Sequence, residues 1–250
     1  MRNKPFFFRY AFGAWEMLCD LRLPFAPSVL SGAKSLLYFP LWGALCGALC
    51  VLAGALATLL TNRLAGAVIF AGVTLAFMLA KDSCRGINAL RSLVFNRLSR
   101  GGFGTALEHV SCGGGDQSET LVGTALAAAE FILLLMMGLY SSAWFLTFVL
   151  AGGFTVQGSL AAELGIVADP ERTNLKMMWV MFGIIGIVSF IFFPVATLIG
   201  AAAVYALAVP GAKFIRTNVA SPGADIVTLC GALAEFALLL AGFFWNLRIR

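Results

Sequence analysis

Residues 38–80 read YFPLWGALCGALCVLAGALATLLTNRLAGAVIFAGVTLAFMLA, and Arg63 is the one charged residue among them. About 20 apolar residues are enough to cross the hydrocarbon core of a bilayer as a helix. A helix also pairs its own backbone N–H and C=O groups, as lipid requires. The apolar runs 38–60 and 64–80 are separated only by Thr61, Asn62 and Arg63, so they predict two membrane spans closed into a tight hairpin.

The same pattern extends along the chain. Runs at 121–140 and 144–161 predict a second pair of spans with a short turn between them. Residues 177–215 are apolar for too long to be one span, and Pro194 is placed to divide them. A last run covers 226–247, which brings the expected number of spans to seven. Ahead of the first span, Phe6, Phe7, Phe8, Tyr10, Phe12, Trp15, Met17 and Leu18 alternate with Arg9, Glu16 and Asp20. That mixture predicts an interfacial helix within the N-terminal segment 1–37. Met1 to Phe8 has basic residues but no apolar stretch ending in small residues, so no cleavable signal peptide is expected. The expected architecture is all-α: a single integral membrane domain over 1–250, built as a polytopic helical bundle.

Composition agrees. Of 250 residues, 60% are hydrophobic and 12% charged, whereas soluble domains carry about 25% charged residues. The net charge of +5 is no sign of nucleic acid binding, because Lys and Arg cluster between apolar runs. Lys81, Arg85, Arg91, Arg97 and Arg100 follow the second span, while the turns at 61–63, 141–143 and around Pro194 hold only Arg63. The positive-inside rule then places the N-terminus and the segments 81–120, 162–176 and 211–225 in the cytoplasm. The predicted location is the cytoplasmic (inner) membrane, with the active loops facing inward. Arg248 and Arg250 fall on the wrong side, which suggests a last helix that is short or re-entrant.

Candidates for chemistry are few. The cysteines Cys19, Cys46, Cys50, Cys84, Cys112 and Cys230 show no zinc spacing, and His109 is the only histidine, which disfavours triad hydrolysis. Glu130 and Glu235 interrupt apolar runs, where a charge costs about 2.5–3.5 kcal/mol at mid-membrane. Each is either a site residue or half of a structural ion pair. Asp82, in Lys81-Asp82-Ser83-Cys84-Arg85-Gly86, is a metal ligand, a helix cap, or a partner of Arg85 or Lys81. Asp225 follows Ser221-Pro222-Gly223-Ala224 at a helix start, and Glu235 lies some 15 Å further along that helix. Glycines 101, 102, 104, 113, 114 and 115 would let the long loop approach a phosphate, although no Walker pattern is present.

Together these features resemble one family of integral membrane enzymes, the cobalamin synthases (adenosylcobinamide-GDP ribazoletransferases). Leu21-Arg22-Leu23-Pro24-Phe25 and Tyr38-Phe39-Pro40-Leu41-Trp42-Gly43 are similar to its R-L-P and F-P-x-x-G elements. Gly223, Asp225 and Glu235 fall at the spacing of its T-G-D…E segment. Against the family's H-x-D-G-x-A-D-T-x-D-G signature, residues 76–86 keep Asp82, Ser83 (for Thr) and Gly86, but have Ala76, Met78 and Arg85 at the His and the other two Asp positions. Leu98 and Ala232 also replace acidic residues, while Ser99, Arg100 and Gly102 remain.

The resemblance implies a transferase that joins an activated corrinoid to α-ribazole or its phosphate with release of GMP. It implies Asp82, Asp225 and Glu235 as catalytic residues, with Asp82 and Asp225 holding Mg²⁺. Ser83, Arg85, Gly86, Arg97, Arg100 and Gly102 would contact substrate phosphate. A family lysine falls near Glu130, so Arg85 and Glu130 could form an exchanged ion pair. The implied partners are small-molecule corrinoid and nucleotide substrates and the lipid bilayer, with self-association into a homo-oligomer left open. The departures keep a second reading open, a non-enzymatic relative that acts as a membrane scaffold or as a corrinoid- or nucleotide-binding subunit. A small-solute transporter would show inverted repeats, and none is evident.

Overall fold

The computed structural model describes residues 6–18, 33–81, 83–100, 106, 110, 119–140, 142–167, 172–219 and 222–248. Its helices are α1 (Phe6–Leu18), α2 (Phe39–Leu60), preceded by a 3₁₀ turn Ala33–Tyr38, and α3 (Arg63–Lys81). They continue with α4 (Arg85–Arg100), α5 (Glu119–Leu139), α6 (Phe145–Glu163), α7 (Arg172–Phe192), α8 (Pro194–Ala208), α9 (Pro210–Asn218) and α10 (Ala224–Arg248). No strand occurs among the described residues. Seven segments are long and apolar enough to cross a membrane. The chain is a multi-pass helical membrane protein.

Local chemistry sets the breaks. Pro40, Pro194 and Pro210 sit in the first turns of α2, α8 and α9, where a missing N–H costs nothing. Asn62 caps α3, its Oδ1 accepting from the Ala65 N–H at 2.8 Å, and thereby closes the first hairpin. The Pro194 break is tied across by Ser189 Oγ and Thr197 Oγ1, 3.0 Å apart.

Packing is organised around α6. From Phe145 to Ala162 every residue except Thr147 is buried, as expected of a helix apolar on all sides. The first span, α2, lies against it by two glycines one turn apart. A Cβ on Gly43 would come within 2.5 Å of the Leu150 carbonyl oxygen, and one on Gly47 within 2.7 Å of Thr147 Cα. Such small-residue contacts are how helices approach closely in lipid, where no hydrophobic drive separates protein from solvent. The opposite face of α2 presents Leu45, Leu49, Leu52, Leu56 and Leu59 outward, a continuous apolar stripe suited to acyl chains.

The remaining spans complete the ring. Antiparallel to α3, α5 packs Gly138 on Ala67 and Phe70, and the Arg63 guanidinium donates to the Leu139 carbonyl. Antiparallel to α6, α10 fits Gly242 against Phe145 and Gly231 against Gln157. Its far end is anchored by Asn246 Nδ2 donating to Ser142 Oγ at 2.8 Å. The amphipathic α1 packs on the start of α2, where Trp42 Nε1 donates to the Ala11 carbonyl at 2.6 Å and the Trp15 and Trp42 rings meet at a 59° tilt, their centroids 4.9 Å apart.

Three expectations are corrected. The segment 81–120 is not simply a loop, because 85–100 form α4, which packs on α5 and α10. The sixth apolar segment, Pro194–Asn218, is two helices: α8 ends at Ala208 and Pro210 starts the amphipathic α9, so 211–218 are helix and not loop. The last helix is neither short nor broken: α10 runs 25 residues without interruption, about 37 Å. Its Arg248 therefore stands at the end of the bundle opposite to most of the basic residues.

Candidate functional site: a buried charge layer at the basic end

One end of the bundle carries Lys81, Arg85, Arg91, Arg172, Lys176, Lys213 and Arg216. Here α3, α6 and α8 finish and α4, α7 and α10 begin. The buried charges lie just inside this basic end.

The centre is an ion pair between Lys81, the last residue of α3, and Glu235, about three turns into α10. The Lys81 Nζ donates to Glu235 Oε1, and the two residues are 2% and 1% exposed. Desolvating either charge alone would cost several kcal/mol, so each holds the other in place. Two further features shape the pocket. Lys81 Nζ lies 5.1 Å from the centre of the Phe154 ring, a cation–π contact. On α6, Gly153 leaves the space that the Glu235 carboxylate fills, since a Cβ there would overlap it.

Other polar groups lie in the same stratum. Gln157, one turn from Gly153, is buried against Gly231, one turn from Glu235, and its amide nitrogen has no hydrogen-bond partner among the described residues. The second buried carboxylate, Glu130, is 4% exposed on α5. It shares the depth of Glu235: Gly242 and Met137 are neighbours on the parallel helices α10 and α5, and each Glu lies seven residues back from that contact. The Arg91 stem crosses α5 at Gly123, 2.8 Å from where a Cβ would stand. Arg85, the proposed exchange partner of Glu130, is half-buried at the start of α4, which packs on α5. A buried ion pair that the sequence did not single out joins Lys81 and Glu235.

Ser83 and Cys84, between α3 and α4, form a strained turn. The Cys84 N–H bonds the Leu79 carbonyl at 2.7 Å and the Ser83 N–H bonds the Ala80 carbonyl at 3.3 Å. This is the helix-ending pattern that usually carries glycine in the left-handed conformation. Here Ser83 and Cys84 adopt it, at φ 53° and 66°, a conformation costing about 1–2 kcal/mol per non-glycine residue. Ser83 is exposed, Cys84 half-buried and Gly86 buried within α4.

Among the other expected site residues, Asp82 and Gly102 lie outside the described residues, as do Leu21–Phe25 of the first family element. Arg97 and Arg100 fall on the last turns of α4, and their side chains are outside the described part. Asp225 is half-buried in the first turn of α10, where a carboxylate favours the helix dipole. Asp225 and Glu235 are about 15 Å apart along α10, too far to share one ion, and Lys81 Nζ donates to Glu235; Asp82, expected beside Asp225 as a Mg²⁺ ligand, lies outside the described residues. Among the described residues no group of three or more His, Cys, Asp or Glu side chains converges on a point.

Lys81 is a residue that the sequence offered as an orientation signal and as a neighbour of Asp82, not as the partner of Glu235. The available signal was a lysine ending one apolar run, a glutamate interrupting another, and the Gly152–Gly153 pair in the most buried helix. No protein-family model matches the chain, and neither a curated protein nor a solved structure is significantly similar to it.

Proposed function

We propose that the chain is a membrane-embedded binding subunit of the cobalamin-synthase type, taking a phosphate-bearing corrinoid or nucleotide at its basic end by fixed cations rather than through a metal. The observation that carries this reading is the Lys81–Glu235 pair. A lysine ammonium stands against the last of the family's acidic positions, where a metal-using relative would need a free carboxylate. Arg85 takes a further acidic position, and an arginine favours phosphate contact over metal coordination. By the positive-inside rule the basic end faces the cytoplasm of the inner membrane, the side on which such ligands are found.

Transferase activity is the reading against which this one is tested. Purified chain supplied with adenosylcobinamide-GDP, α-ribazole and Mg²⁺ is expected to retain the corrinoid nucleotide without releasing GMP. Mg²⁺-dependent GMP release that disappears in Asp82→Ala would establish the transferase instead.

A further inference from the structure

A separate cleft opens where α6, α7, α8 and α9 meet at the basic end, away from Lys81 and Glu235. It has a volume of about 420 Å³, with Leu175, Trp179, Ala208 and Ala212 forming an apolar wall. A second hollow of about 400 Å³ adjoins it, reaching Gly165, Val219 and Pro222. Glu163 and Arg216 border both, and their ion pair at 3.4 Å forms the partition. The two side chains are 45% and 55% exposed, and exposed pairs of this kind hold weakly.

Two polar groups in the first cleft are unspent. The Ser159 hydroxyl, on a residue only 2% exposed, lines it without a hydrogen-bond partner among the described residues. A buried hydroxyl left so is costly and marks a place for a ligand atom. Lys213, on the exposed side of α9, has no carboxylate partner among the described residues. With Glu163 balanced by Arg216, the described residues of the cleft carry one net positive charge beside a hydrocarbon wall. Trp179, with a ring suited to the membrane interface, forms part of that wall.

We propose that this cleft binds an anionic amphiphile. Its acyl chain lies along Leu175, Trp179 and Ala208, its phosphate is held by Lys213 and Arg216, and the Ser159 hydroxyl donates to a head-group oxygen. The apolar wall and the single net charge favour a membrane phospholipid over free phosphate. This site is independent of the corrinoid-nucleotide reading and stands or falls separately.

The test uses the full chain in uncharged detergent, with binding of short-chain phosphatidylglycerol, phosphatidylcholine and inorganic phosphate read by native mass spectrometry. Phosphatidylglycerol is expected to bind about tenfold more tightly than phosphatidylcholine. Lys213→Gln is expected to weaken it about fivefold, the worth of one basic residue at a membrane surface. Ser159→Ala should weaken it to a smaller extent, with the melting temperature of Lys213→Gln unchanged and that of Ser159→Ala not lowered. Equal binding of the two lipids, or variants that bind phosphatidylglycerol as the wild type does, overturns the proposal. So does displacement of the lipid by millimolar inorganic phosphate, which would mark a soluble-anion site.

Discussion

Lys81 and Glu235 depend on each other, because neither has water to fall back on. Glu235→Gln keeps the shape but leaves an ammonium facing a neutral amide in the bundle interior. It should destabilise the protein by about 3 kcal/mol, since breaking one side of a buried pair is far more costly than removing both. Lys81→Met combined with Glu235→Gln should recover most of that loss, as read by thermal unfolding in detergent. A double variant no more stable than the single one would show that the two residues act separately. The strained turn next door gives an independent residue-scale prediction. Ser83→Gly should raise stability by about 1 kcal/mol by removing a left-handed non-glycine residue; an unchanged melting curve would mean that the turn is not strained in solution.

At the scale of elements, the α2–α6 contact is the joint of the bundle. Gly43→Ala places a methyl group against backbone that cannot move aside, and should cost about 3 kcal/mol. Gly72→Ala, on the exposed face of α3 with nothing within 4 Å, should instead be neutral or stabilise by about 0.5–1 kcal/mol. The two variants differ only in surroundings, so equal effects in a fluorescence-detected melt would contradict the packing. The spans themselves were legible in the sequence because about 20 apolar residues in lipid have one low-energy form. α4 and α9 were harder to read. Both are short and amphipathic, with polar residues that look like loop composition until a neighbouring helix covers one face. Partner choice was not legible: Lys81 and Glu235 are 154 positions apart, and apolar runs do not reveal which helices touch. For that reason the Lys81–Glu235 pair was not anticipated.

For the whole molecule, the distribution of basic residues predicts orientation. In a variant whose only cysteine is Cys84, beside α4 at the basic end, a membrane-impermeant maleimide should react in inverted inner-membrane vesicles and not in intact cells. Labelling of intact cells would reverse the topology. The resemblance to cobalamin synthases supplied the candidate residues, and the bundle shows how one of them, Glu235, has been taken up by a lysine. In the proposed function, ligand phosphate is met by fixed cations and not by a bridging metal. The most direct test is the affinity of the purified chain for adenosylcobinamide-GDP in EDTA and in Mg²⁺. Fixed cations predict values equal within about twofold, a difference of under 0.5 kcal/mol. A loss of about tenfold or more in EDTA would contradict the claim and restore a metal to the site.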